Sequence, residues 1–124
     1  MNNKKISVAT ENDAASILEI YAPFVTDTAI TFEYEVPSIT EFTERINNIQ
    51  KKYPYLVCEI DGKIVGYGYA SKFKDREAYN WSAETSVYVN PKYQGKKIGS
   101  SIYRTLIEIL KLQGFKNIYG VVSI

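Results

Sequence analysis

Asp61-Gly62 stands between two runs of extended character, Tyr55 to Ile60 and Lys63 to Ala70. An Asp-Gly pair readily takes the left-handed backbone that a two-residue turn between twisted antiparallel strands requires, so it is the strongest short hairpin signal a sequence carries. It predicts an antiparallel ladder in the middle of the chain, and the flanking segments have to be fitted around it. Downstream, beyond a polar loop from Ser71 to Asn80, the segment Trp81 to Val89 alternates, with Ala83, Thr85, Val87 and Val89 on one side and Ser82, Glu84, Ser86 and Tyr88 on the other. That period of two predicts a third strand with one apolar face and one mixed polar face, ended by Asn90-Pro91.

Helical signals lie on both sides of this ladder. Ile6 to Ala9 reads as a short strand, after which Thr10 and Asp13 form a capping-box pattern opening a helix through Ile17, Leu18 and Tyr21. Pro23 should end or kink that helix. Thr28 to Tyr34 is rich in β-branched and aromatic residues and reads as extended, leading to Pro37. Ser38 with Glu41 then starts a second helix carrying Phe42, Ile46 and Ile49, which runs out near Lys52 ahead of Pro54. Beyond the third strand, Ile98, Ile102, Leu106 and Ile109 form an apolar stripe at near-helical spacing, Gly114 suits the C-terminal cap, and Asn117 to Val122 is a further strand.

The predicted order is therefore strand, two helices, three antiparallel strands, helix, strand: an α+β fold with a mixed sheet layered between helices. A right-handed crossover places Asn117 to Val122 parallel to Trp81 to Val89. At 124 residues the expectation is one domain spanning positions 1–124.

Composition excludes several kinds of chemistry. Fifteen Lys and Arg against fourteen Asp and Glu give a net charge of +1, spread along the chain, which leaves no footprint for nucleic acid or an anionic membrane. The chain has no histidine and one cysteine, Cys58 in an apolar run. No intramolecular disulfide, metal cluster or Ser-His or Cys-His nucleophile is expected, and acid-base work falls to carboxylates or tyrosines. A reducing cytoplasm fits, Met1 to Lys5 is not followed by the apolar segment of a signal peptide, and the eleven tyrosines read as packing residues.

Two places carry candidate chemistry. Gln94-Gly95-Lys96-Lys97-Ile98-Gly99-Ser100 joins a strand end to the striped helix. Unpaired main-chain N–H groups and the positive end of a helix dipole meet there, glycine permits close approach, and two lysines add charge, so the turn suits a phosphate. It is neither a Walker loop nor a dinucleotide fingerprint, and a solvated helix start has the same pattern. Glu84 is the second: on the mixed face, beside Ser86 and Tyr88, a carboxylate can take a proton in a half-closed cleft, although a solvated strand residue looks alike.

The strand Ser86-Val87-Tyr88-Val89, then Asn90-Pro91, then Gln94 with Gly99 five residues on and a helix, resembles the acetyl-CoA signature of the GCN5-related N-acetyltransferases, Arg/Gln-x-x-Gly-x-Gly/Ala. Lys97 stands where the first motif glycine usually sits, and can still offer its N–H to a pyrophosphate if its φ is negative. The stretches Phe73 to Tyr79, Glu84 to Val89, Ile17 to Tyr21 and Thr28 to Glu33 are similar to the phosphinothricin and methionine sulfoximine acetyltransferase branch, so the resemblance covers essentially the whole chain.

That resemblance implies an acyl-CoA N-acyltransferase fold and acetyl transfer from acetyl-CoA to the primary amine of a small amino-acid-like substrate, without a metal, in a homodimer. It implies Glu84 as the base and a cofactor site made of Val87, Tyr88 and Val89 with Gln94 to Ser100. Phe32 and Tyr79 match pocket-wall positions, and Arg76 suits a substrate carboxylate or phosphinate because a guanidinium offers paired donors to oxyanions. Members of the family usually continue for another third of chain, so the resemblance also implies a missing C-terminal third. Two other readings stay open: a CoA-binding or interaction module of the same fold without catalysis, and an acetyltransferase for peptide or other amines.

Overall fold

The structure, a computed structural model, describes residues 4–26, 35–72, 82–93 and 97–123. Five strands, β1 (Lys4–Val8), β2 (Tyr55–Ile60), β3 (Lys63–Lys72), β4 (Ser82–Val89) and β5 (Asn117–Ser123), form one sheet in the order β1-β2-β3-β4-β5. Neighbours are antiparallel except β4 and β5, which run parallel with Ser82 opposite Asn117 and Tyr88 opposite Ser123. Helices α1 (Ala14–Thr26) and α2 (Ile39–Gln50) cover one face and α3 (Ile98–Leu112) the other, so the mixed sheet lies between two helical layers, as expected.

Alternation along the strands builds both cores. On the face toward α1 and α2, Tyr55, Val57 and Tyr67 pack with Ile17, Tyr21, Phe24, Phe42 and Ile46. On the face toward α3, Leu56, Cys58, Ile60, Val87 and Val89 pack with Ile98, Ile102 and Leu106. The buried face of α3 continues through Leu110, which packs with Ala70 and Ala83, while Ile109 is half-buried.

The local signals act largely as read. Asp61 and Gly62 have φ of 52° and 83°, the left-handed pair of a tight hairpin joining Ile60 to Lys63. Ser38 Oγ accepts from the Glu41 N–H at 3.1 Å, capping α2. At the end of α3, Gly114 (φ 96°) donates to the Lys111 carbonyl at 3.1 Å and Phe115 donates to the Leu110 carbonyl at 3.0 Å. This is the Schellman pattern, which a glycine permits at no steric cost.

Two expectations change. Pro23 does not end α1, since the helix continues to Thr26; burial of Ile20, Tyr21 and Phe24 outweighs the one main-chain bond that proline cannot donate. The opening capping box forms, with Asp13 Oδ2 accepting from the Thr10 N–H at 2.9 Å, but it caps a short 3-10 turn, Glu11–Asp13, that leads into α1. The extended reading of Thr28 to Tyr34 lies outside the described residues. So does the loop that follows β3, apart from Ser71 and Lys72, which extend the strand.

Candidate active site

The exit of β4 is held by an irregularity in its neighbour. The β2–β3 register shifts between Cys58, opposite Gly66, and Glu59, opposite Ile64, leaving Val65 as the extra residue of a bulge. Val65 consequently joins Gly66 on the α3 face, and its carbonyl accepts the Asn90 N–H at 2.9 Å. Asn90 then turns the chain: its Oδ1 accepts from the Lys92 N–H at 3.0 Å and its carbonyl from the Tyr93 N–H at 2.8 Å. Nothing local in the sequence announces the bulge.

Gln94, Gly95 and Lys96 lie outside the described residues, and the chain resumes at Lys97, the N-cap of α3. Lys97 has φ 61° and ψ 23°, so the condition of negative φ is not met: the lysine occupies the left-handed conformation that favours a glycine. Its carbonyl accepts both the Ser101 N–H at 3.1 Å and the Ser101 hydroxyl at 2.9 Å, while Lys4 Nζ donates to Ser101 Oγ at 2.9 Å. The N–H groups of Ile98, Gly99 and Ser100 open a fifteen-residue helix and have no intrahelical acceptor. Together with the exposed Lys97 and with Lys4 they make a cationic, donor-rich terminus suited to a pyrophosphate.

Lys4 is one residue that sequence reasoning misses, being far away in the chain. Two others are Tyr103 and Arg104, which with Ser100 and Ile107 line a hollow of about 400 Å³ on α3 just past this terminus. Their signal was available: Arg104 lies on the helix face away from the buried stripe of Ile98, Ile102 and Leu106, and Tyr103 lies at its flank.

Glu84 lies five positions before Val89 on β4, half-buried, opposite Ser71 on β3 and Tyr119 on β5. It shares its face with Ser86 and Tyr88, the face toward α1 and α2, as the alternation required. Tyr88 is packed by aromatic rings, stacked on Tyr67 at 5.2 Å and edge-on to Phe24 and Tyr21 at 5.0 and 5.7 Å. The sheet places the main chain of Val87 and Tyr88 between β3 and β5, both of which pair with it, while Val89 pairs with Gly66 of β3. The separation from Glu84 to Val89 is about 17 Å at roughly 3.4 Å per residue. Phe32, Arg76 and Tyr79 lie outside the described residues. No group of metal-ligating side chains occurs among the described residues, and none of their helices is long and apolar enough to cross a membrane.

Comparison with known proteins gives these features a context. A family model described as acetyltransferase (GNAT) domain matches residues 6–123. A phosphinothricin N-acetyltransferase of Streptomyces viridochromogenes is 32% identical over 97% of this chain and 66% of its own length. A second, from Alcaligenes faecalis, is 37% identical over 82% of this chain and 52% of its own. The chain thus spans between about half and two thirds of the length of these relatives. Among solved structures, a GNAT superfamily phosphinothricin acetyltransferase from Sinorhizobium meliloti in complex with AcCoA superposes with a TM-score of 0.89 at 34% identity, covering 97% of this chain and 66% of that one.

Proposed function

The chain belongs to the GNAT acetyltransferase family, and on that premise we propose that it transfers an acetyl group from acetyl-CoA to the primary amine of a small amino-acid-like substrate. The observation that carries this reading is the arrangement around β4: a half-buried carboxylate, Glu84, on its mixed face, and beyond the far end of the same strand the cationic start of α3. Phosphinothricin and related amino acids are the acceptors suggested by the names of its relatives.

Acetyl-CoA would supply the activated acetyl thioester. Its pyrophosphate fits the α3 terminus, with main-chain N–H groups of Ile98 to Ser100 donating and Lys97 and Lys4 adding charge; Gln94 to Lys96 complete the same turn. Tyr103 and Arg104 offer a stacking surface and a cation beside it. For the main-chain N–H groups of Val87 to Val89 to receive a ligand, the ends of β4 and β5 have to part, since their ladder runs to Tyr88 and Ser123. Glu84 accepts the proton lost by the acceptor amine, directly or through water, so that nitrogen attacks with its lone pair free. Phe32, Arg76 and Tyr79 hold the acceptor in this reading. With no histidine in the chain and its one cysteine, Cys58, fully buried, this reading takes the attack to be direct. The protein works as a cytoplasmic homodimer.

Thiol release from acetyl-CoA with phosphinothricin or methionine sulfoximine as acceptor tests the reading. Intersecting initial-rate patterns and an acetylated product support it; a ping-pong pattern or an acetylated enzyme rejects direct attack. The closed β4–β5 ladder favours a second reading, a module of the same fold that binds CoA without turnover, and binding without thiol release would select it.

A further inference from the structure

A cavity of about 50 Å³ lies between α2 and the sheet, lined by Arg45 and Phe42 of α2, Tyr21 of α1, Tyr55 of β2, and Tyr67 and Tyr69 of β3, among others. Tyr55 and Tyr67 are 2% and 1% exposed. Their rings are accounted for by stacking, Tyr55 on Tyr69 at 4.9 Å and Tyr67 on Tyr88 at 5.2 Å. Their hydroxyls are not: among the described residues neither phenol has a hydrogen-bond partner. Buried tyrosine hydroxyls normally find one, so two unpaired donors on one cavity mark a place for a ligand.

The donor set defines what that ligand is. Burial holds both phenols protonated far into the alkaline range, outweighing the pull of Arg45 on Tyr55. Among the described residues no carboxylate lines the cavity and Arg45 is the one cation there, with Glu41 3.6 Å from Nη2. Two neutral O–H donors and a guanidinium suit a small oxyanion and repel an ammonium group. The volume has room for a carboxylate-sized group.

The cavity also adjoins the proposed base. Tyr55 pairs with Tyr69, Tyr69 with Ser86, and Glu84 is one two-residue step along β4 on the same face. Two strand spacings of about 4.8 Å and a step of about 6.8 Å separate the Tyr55 and Glu84 backbones by roughly 12 Å. Both side chains stand on the same face of the sheet, the face toward α1 and α2.

We propose that this cavity is a subsite for an anionic group of the acceptor, held by the Arg45 guanidinium and the hydroxyls of Tyr55 and Tyr67. The identity of the ligand as acceptor rests on the acetyltransferase reading; the anion selectivity does not.

The test is calorimetric binding of L-phosphinothricin and L-methionine sulfone, which share an α-carboxylate but differ in side-chain charge, to the 124-residue chain in the presence of CoA. Arg45→Gln should weaken phosphinothricin by about 10-fold or more. Tyr55→Phe should weaken it several-fold while its thermal midpoint stays level or rises, because an unpaired buried hydroxyl is removed. Equal weakening of both ligands by Arg45→Gln assigns the cavity to the α-carboxylate, and weakening of phosphinothricin alone assigns it to the phosphinate. Unchanged binding in both variants, or no binding of either ligand to the parent, overturns the proposal. So does a lowered midpoint for Tyr55→Phe with binding intact, the signature of a structural water. Thiol release measured on the same samples separates the two ideas: binding with no acetyl transfer rejects the acetyltransferase reading and leaves the subsite standing.

Discussion

Gly68 and Ile102 meet with no space for a methyl group between them: a Cβ at Gly68 would lie 2.6 Å from Ile102 Cγ2, 3.1 Å from Val87 Cγ2 and 3.2 Å from Leu106 Cδ1. Helix α3, whose start is the proposed pyrophosphate site, is therefore seated directly on β3. Cγ2 of isoleucine branches at Cβ and cannot swing aside without moving α3. Gly68→Ala should destabilise the fold by about 1–3 kcal/mol, the usual scale of overpacking. A denaturant midpoint unchanged from the parent would show that α3 shifts freely on the sheet.

Lys97 is the opposite case, a side chain where the backbone favours none. Its left-handed conformation costs a non-glycine residue about 1–2 kcal/mol, partly offset by the larger unfolded-state entropy of glycine. Lys97→Gly should therefore raise stability by about 0.5–1 kcal/mol in urea titrations. CoA affinity should fall only modestly and in a salt-dependent way, since an exposed charge is screened. A loss of stability would show that the lysine side chain holds the turn.

Tyr55 and Tyr67 make the fold sensitive to alkali. Burial is the main cause that pushes both phenols well above their ordinary value of 10.0. Below that value both states keep the proton and the stabilisation is fully present; above it the unfolded chain releases protons that the folded chain retains, so stability falls as pH rises. In a tyrosinate absorbance titration, these two of the eleven tyrosines should ionise only as the chain unfolds. A smooth titration of all eleven in a chain that stays folded would contradict this.

Cys58 is fully buried, and burial raises its thiol, with Lys4 pulling it down and Glu59 pushing it up. It should be inert to thiol reagents in the folded chain and react at the rate of opening. Rapid stoichiometric labelling of the native protein would place the thiol outside the core.

The layered fold was legible because its signals are local or strictly periodic: Asp61-Gly62, the Ser38 cap, the alternation from Ala83 to Val89 and the stripe beginning at Ile98. What escaped depends on packing between segments distant in sequence. The bulge at Val65 meets the needs of α3 and Asn90, α1 continues through Pro23 because its neighbours bury, and Lys4 reaches Ser101 across 97 positions. Of the proposed site, Glu84 sits on the face that alternation required, and Lys97 begins α3. The left-handed backbone of Lys97 is invisible to spacing, and the cavity beside Arg45 is a product of stacking among tyrosines that composition alone assigns to the core.

Glu84→Gln tests the central claim most directly, because it preserves size and hydrogen bonding while removing the proton acceptor. With acetyl-CoA saturating and phosphinothricin as acceptor near neutral pH, thiol release by the variant should fall by about 10²-fold or more, with acetyl-CoA affinity unchanged in calorimetry. The deficit should shrink as pH rises and the amine arrives already deprotonated. Turnover equal to the parent's near neutral pH would contradict the account.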